Sequence, residues 1–289
     1  MGKKILLAFV CAALTWPLVC ADEAAEDAEQ TGGGWSFSQS AAGQVNPLGL
    51  TLDTRVFYTW PLYPEKRGLL WDTCRVEAGL ANSLTPAFDT VSVFVRVEPI
   101  AFFDLAASAG LRAYSDALGY GFTPRADYED SWDARSRKDA EKSSALGFRY
   151  NLAATLKGAA GPFVFGSATS YTLYDMRSTP GGADYYYDPS ADTTLKLLDG
   201  FIVNDSLVLY TCAEAPQVRA GLLHTFLYVP GSRYTSRRLC LVGRIEGQLS
   251  PSIKAFAALL GGTFLRNRYY SWKDGKVYAA VQLGITADL

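Results

Sequence analysis

The chain has 289 residues, 49% hydrophobic and 19% charged, with a formal net charge of −2. Disordered chains combine low hydrophobicity with high charge, so this composition excludes one, and the slightly acidic balance speaks against a nucleic-acid partner. A single histidine, His224, excludes multi-histidine zinc sites, and a mean hydropathy of +0.03 is too low for a bundle of membrane helices.

Residues 1–21 begin with Lys3 and Lys4, continue through an apolar stretch over 5–19 and end Val19-Cys20-Ala21. A positive start, a short apolar middle and a small-residue exit predict a secretory signal cleaved after Ala21. Anchoring at Cys20 as a lipoprotein ranks second, because Val19 is bulky for such a signal. Residues 22–47 open with an acidic run (Asp22 to Glu29) and then three glycines at 32–34, which predicts a flexible mature N-terminus. Within it, Trp35 and Phe37 alternate with Ser36 and Ser38, so one strand could start there.

From Leu48 onward no stretch reaches the ~18 charge-free apolar residues of a membrane helix. Strands with period two recur instead. Leu50, Leu52, Val56, Tyr58 and Trp60 oppose Thr51, Asp53, Arg55 and Thr59. Val91, Val93, Val95 and Val97 oppose Thr90, Ser92, Arg96 and Glu98, with Phe94 as the exception. Phe103, Leu105, Ala107, Ala109 and Leu111 oppose Asp104, Ser108 and Arg112; Leu146, Phe148, Tyr150, Leu152 and Leu156 oppose Arg149, Asn151, Thr155 and Lys157. Leu239, Leu241, Ile245 and Leu249 oppose Arg244, Glu246 and Gln248; Val277, Ala279, Val281, Leu283, Ile285 and Leu289 oppose Tyr278, Gln282 and Thr286. Weaker runs occupy 70–81, 162–174, 201–212, 216–228 and 253–265.

Strand length separates a membrane barrel from a soluble one. Soluble strands average ~5–6 residues. Roughly eleven residues, tilted ~40°, cross ~28 Å, enough for an apolar band ~25 Å tall. The links alternate too. Short ones fall at 98–101, 158–161, 213–216 and 250–252, and long polar ones at 115–144, 176–200, 229–237 and 266–275. The rhythm fails near 61–68, which would be a long link on the short-turn side. Tyr58, Trp60, Trp71, Tyr114, Tyr171, Tyr174, Tyr228, Tyr269, Tyr270 and Trp272 fall near strand ends, where amphipathic rings suit the headgroup region.

Taken together, the leader, the long alternating strands, the link parity and the final strand resemble a bacterial outer-membrane β-barrel over about 48–289. The resemblance implies an all-β, transmembrane, antiparallel up-and-down barrel of about 12 strands, with 10 as the alternative. It implies outer-membrane lipid and the barrel-insertion machinery as partners, and Val281, Leu283, Ile285 and Leu289 as the insertion signal. Leu289 departs from the usual aromatic ending. In such a barrel Arg55, Arg75, Glu77, Arg96, Glu98, Asp104, Arg112, Arg149, Arg219, Arg244 and Glu246 must face the lumen, since Arg at the lipid midplane costs ~2–4 kcal/mol.

Three functions remain open on this reading. The first is a pore for passive diffusion of small polar solutes, with a weak anion preference because the inner face carries more arginines than acids. The second is a non-conducting barrel for anchoring, adhesion or envelope integrity. The third, an outer-membrane hydrolase, would depend on His224, which falls in register with the apolar residues Leu222 and Phe226. The aromatic run Tyr185-Tyr186-Tyr187-Asp188-Pro189 in the long link 176–200 favours folding back into the lumen over lying exposed. No metal-spaced cysteine pair, phosphate-cradling glycine loop or nucleophile elbow occurs, so neither a metal nor a cofactor is expected. Cys74, Cys212 and Cys240 allow at most one disulfide.

Overall fold

The structure, a computed structural model, describes residues 33–289 except 47, 67, 117, 129–140, 180–181 and 269–272. The expected signal at 1–21 lies outside the described residues. Strands are numbered in chain order. Twelve close into one antiparallel barrel: β1 (Gly34–Val45), β2 (Gly49–Pro61), β3 (Arg75–Leu84), β4 (Phe88–Ile100), β5 (Phe103–Tyr114), β7 (Ala145–Ala160), β8 (Phe163–Asp175), β11 (Leu198–Glu214), β12 (Gln217–Val229), β13 (Tyr234–Ser250), β14 (Ile253–Asn267) and β15 (Val277–Asp288). Three short strands, β6 (Thr123–Arg125), β9 (Tyr185–Asp188) and β10 (Thr193–Lys196), form a separate sheet. Among the described residues no helix is long and apolar enough to cross a membrane.

The barrel closes where β15 meets β1, in register from Ser36↔Asp288 to Val45↔Ala279. Closure leaves no open strand edge, so the wall's backbone N–H and C=O groups are paired strand to strand, apart from bulges and overhanging strand ends. Within the segment 22–47, expected to be flexible, residues 22–32 lie outside the described residues, and Gly34–Val45 is the first wall strand. Its inner face is Ser36, Ser38 and Ser40, which gives little hydrophobic contrast to read.

Each wall strand sorts its residues by parity. On β4, Val91, Val93 and Val95 are 52%, 58% and 41% exposed on the outside, while Arg96 and Glu98 are 8% and 1% exposed on the inside. Large aliphatic residues turned outward are costly in water and favourable in hydrocarbon. Phe94, the exception in the pattern, turns inward, where the Arg55 guanidinium lies 5.8 Å from its ring centre.

Links follow the same parity. At the end holding Gly34 and Asp288, called here the terminal end, the links are 62–74, 101–102, 161–162, 215–216 and 251–252. The opposite, loop end carries 46–48, 85–87, 115–144, 176–197, 230–233 and 268–276. Thus 62–74 is a genuine long link on the short-turn side. It is tied down by Leu62 N–H to Cys74 O at 2.9 Å and by Ala101 N–H to Leu70 O at 3.2 Å. The strand expected from residue 70 begins only at Arg75. The loop expected over 229–237 shrinks to four residues, since β13 pairs with β12 as far as Val229↔Tyr234. The turn at 161–162 leaves room for only two residues, and Gly161 supplies the positive φ (58°) it requires.

Outward aromatics ring both ends. Trp35, Trp60, Phe163 and Tyr210 are exposed toward the terminal end, and Phe148, Tyr150 and Tyr171 toward the loop end. Trp35 meets Tyr58 edge-on at 5.4 Å. Two of the expected belt residues, Tyr114 and Tyr174, instead turn inward and are buried; Tyr269, Tyr270 and Trp272 lie outside the described residues. Cys74, Cys212 and Cys240 are all unpaired.

The inside–outside sorting predicts an asymmetric response to charge. Val93→Arg, outward and central on β4, should lower folding stability by about 2–4 kcal/mol. Ser108→Arg, inward on β5 beside a cavity, should cost clearly less. Equilibrium denaturant titration of barrels folded into lipid vesicles measures both, and equal losses would contradict the lipid-facing assignment.

Candidate functional site

The inner wall gathers the charged residues into three clusters and one open chamber. The first cluster lies toward the terminal end, on β3, β4, β5 and β7. Arg75 Nε lies 2.7 Å from Glu77, Arg96 lies 3.2 Å from Asp104 and 3.6 Å from Glu77, and Lys157 Nζ lies 2.8 Å from Glu98. Thr73 Oγ1, from the long terminal-end link, donates to Glu98 at 2.7 Å. Such buried pairs contribute little net stability, because desolvation offsets attraction, but removing one partner is costly.

The second cluster sits on β12, β13, β14 and β15. Arg244 pairs with Glu246 at 2.6 Å and lies 4.5 Å from the Phe256 ring centre. Arg219 shares the electrostatic field of Glu246. Arg238 donates to Thr225 at 3.4 Å and stacks 3.8 Å from the Tyr278 ring centre. Around these polar groups the same sector is filled by Leu207, Leu209, Leu223, Val242 and Leu260. The lumen is therefore lopsided, with one side charged and the other packed largely with hydrocarbon.

The third cluster closes the loop end. Arg112 is 1% exposed and holds four partners. Its Nε donates to Tyr114 Oη at 3.0 Å and Nη1 to Tyr174 Oη at 2.7 Å. Nη2 donates to Asp188 Oδ2 at 3.0 Å and to Ser190 Oγ at 2.9 Å. Its guanidinium carbon lies 3.5 Å from the centre of the Phe88 ring, a close cation–π contact. Asp188 is itself saturated, accepting from Tyr114 Oη at 2.8 Å and from the Ala191 N–H at 2.8 Å.

Asp188 and Ser190 belong to the β9–β10 hairpin of the link 176–197, so Arg112 pins that hairpin inside the barrel mouth. The aromatic run folds back, with Tyr186 fully buried and stacked on Phe122 at 5.0 Å. Burial among Tyr114, Tyr174 and Asp188 pushes the Tyr186 phenol well above its ordinary range, so it stays neutral. Asp192 ties the hairpin to Lys273 of the link 268–276. Leu195, Met176 and Phe122 complete a small core at this end.

Between the clusters lies a chamber of about 230 Å³. Asp53, Arg55, Arg149, Asn151 and Ser108 are among its lining residues. Arg55 and Arg149 both act electrostatically on Asp53, yet among the described residues neither has an acid within ion-pair distance. Arg96, Arg112, Asp104 and Asp205 line it as well, and there Arg96 and Arg112 are ion-paired.

All eleven residues expected to face the lumen lie on the inward parity of their strands. Lys157, Asp205 and Arg238 belong with them. Lys157 stood on the polar side of its strand pattern; Asp205 and Arg238 fell in stretches whose alternation is weak. Val281, Leu283 and Ile285 turn outward on β15, and the N–H of Leu289 donates to Trp35 O at 2.9 Å. His224 turns outward at mid-height on β12, paired in register with Ser206.

A closed, apolar-skinned, charge-lined cylinder with aromatic ends is a transmembrane β-barrel of the outer-membrane type. No family model and no curated protein sequence matches the chain. Among solved structures it is similar to the NanC porin at 12% identity, covering 88% of this chain and 100% of that one, with a TM-score of 0.42. It is likewise similar to the β-domain of the Bordetella autotransporter Brka (12%, 89% and 99%, TM-score 0.46) and to the CymD monoaromatic hydrocarbon channel (12%, 92% and 91%, TM-score 0.40).

The Arg112 cluster makes a direct prediction. Arg112→Ala leaves Asp188 buried without its cation, a change worth about 3–5 kcal/mol. The β9–β10 hairpin should then exchange its amide hydrogens much faster, while the β13–β14 ladder stays protected. Hydrogen-exchange mass spectrometry over 185–196 reads this, and unchanged protection there would show that other contacts hold the hairpin.

Proposed function

We propose that this protein is an outer-membrane channel for small polar solutes, with a preference for anions. The observation that supports it most is the inner chamber bearing Arg55 and Arg149, two cations with no acid in ion-pair contact among the described residues. A wall that served only as filler would pair its charges, as the Arg75, Glu77, Arg96, Glu98, Asp104 and Lys157 network does. Unpaired guanidiniums beside a cavity lower the energy of an anion there and raise that of a cation. The β9–β10 hairpin narrows the loop-end mouth, so the unit conductance should be small.

The pairing network and the inserted hairpin favour a second reading, a non-conducting barrel used for anchoring or envelope integrity. Planar-bilayer recording separates the two. The wild type should give small channel events whose reversal potential in a salt gradient has the anion-selective sign. Arg55→Gln with Arg149→Gln should cut the anion-to-cation permeability ratio by about twofold or more. A folded barrel without channel events would establish the non-conducting reading, and a cation-selective reversal potential would remove the anion preference.

A further inference from the structure

Among the described residues the outer wall carries a network of polar side chains where hydrocarbon should touch it. Ser167 and Thr169 of β8, Asn204 and Ser206 of β11 and His224 of β12 all have the outward parity of their strands. Register places them side by side, with Ser206 opposite both Ser167 and His224 and Asn204 opposite Thr169. Asn204 Nδ2 donates to Thr169 Oγ1 at 2.8 Å and to Ser167 Oγ at 3.2 Å, and Ser206 Oγ donates to Asn204 Oδ1 at 3.1 Å. His224 has no hydrogen-bond partner among the described residues. The patch is central, for Ser206 is the midpoint of the seventeen-residue β11. Three of the five, Ser167, Ser206 and His224, also line a groove of about 590 Å³, together with Gly158, Gly166, Leu156, Phe165 and Leu222.

The other central polar pair on the outer wall, Gln39 with Thr54 at 3.4 Å, involves two side chains only. Five polar side chains on three adjacent strands are different. Acyl tails offer them neither donors nor acceptors, and polar groups left so in hydrocarbon are costly. Serine, threonine, asparagine and neutral histidine each donate and accept, so the patch is complementary to itself. Copies of one barrel insert in the same orientation and to the same depth. A two-fold axis along the membrane normal therefore brings this patch against its own image at matching depth, with the groove of each copy facing the leucine and phenylalanine ridges of the other.

We infer that the β8–β11–β12 face is the contact surface between two copies of this chain in the membrane. The contact is isologous, with Asn204, Ser206 and His224 at its centre and their spare hydrogen bonds made across the axis.

Two measurements test it. The wild-type barrel in lipid nanodiscs, sized by sedimentation or native mass spectrometry, should have the mass of a dimer. Asn204→Leu with His224→Leu should give a monomer that keeps its heat-modifiable gel mobility, the mark of a folded barrel. Separately, with the exposed Cys212 changed to Ser, Ser206→Cys should cross-link to itself through a short bis-maleimide. Leu80→Cys, outward on β3 at the far side of the barrel, should not. A monomeric wild type in nanodiscs overturns the proposal, because lipid then covers the patch. Equal cross-linking at residues 206 and 80, or a dimer that survives the double substitution, overturns it as well.

Discussion

Hydrocarbon cannot hydrogen-bond, and that one constraint orders the whole molecule. A sheet in a bilayer must leave no edge, so the pairing of β15 with β1 is a condition of the fold. Closure then fixes an inside and an outside for every residue, because strand parity allows only two directions. Valine and leucine go to the acyl chains, and charges go to the interior. A one-residue slip in any wall strand would reverse the assignment for that strand, so the hydrophobic pattern also secures the register.

The interior that results is unevenly filled. Toward the terminal end, acids and bases neutralise each other in a dense network, and across from them aliphatic side chains pack against one another as in a soluble core. At the loop end, Arg112 gathers Phe88, Tyr114, Tyr174, Asp188 and Ser190 from two wall strands, a third and the inserted hairpin. What is left is the chamber, lined by the ion-paired Arg96 and Arg112 and by Arg55 and Arg149, which have no acid directly opposite in register.

Much of this was legible in the sequence, and the misreadings have physical causes. Alternation is strongest where one face meets lipid and the other meets charge, as on β4 and β5, and those strands read correctly. It fades on β11 and β12, where Leu207, Leu209 and Leu223 make the inner face apolar too, and that hid Asp205. It fades again on β1, whose inner serines lack bulk. Arg238 was lost because Arg237 and Arg238 are adjacent, which looks like a polar loop until pairing shows one turned out and one turned in. Tyr114 and Tyr174 sit at strand ends as belt residues do. Their strand parity turns them inward with Arg112 all the same.

The same parity rule separates an error from a signal on the outer wall. A polar residue predicted to face lipid is usually a misregistered strand. Here the neighbours exclude that explanation. Val208, Tyr210 and Leu222 face outward on the terminal-end side of the polar set, and Leu198 and Tyr171 do so on its loop-end side, all well exposed, so the register is sound across it. Asn204, Ser206 and His224 therefore occupy lipid-facing positions in correctly placed strands, and three neighbouring strands violate the pattern at one depth. A local rule broken in concert, with the surrounding pattern intact, points to a requirement the isolated barrel does not contain.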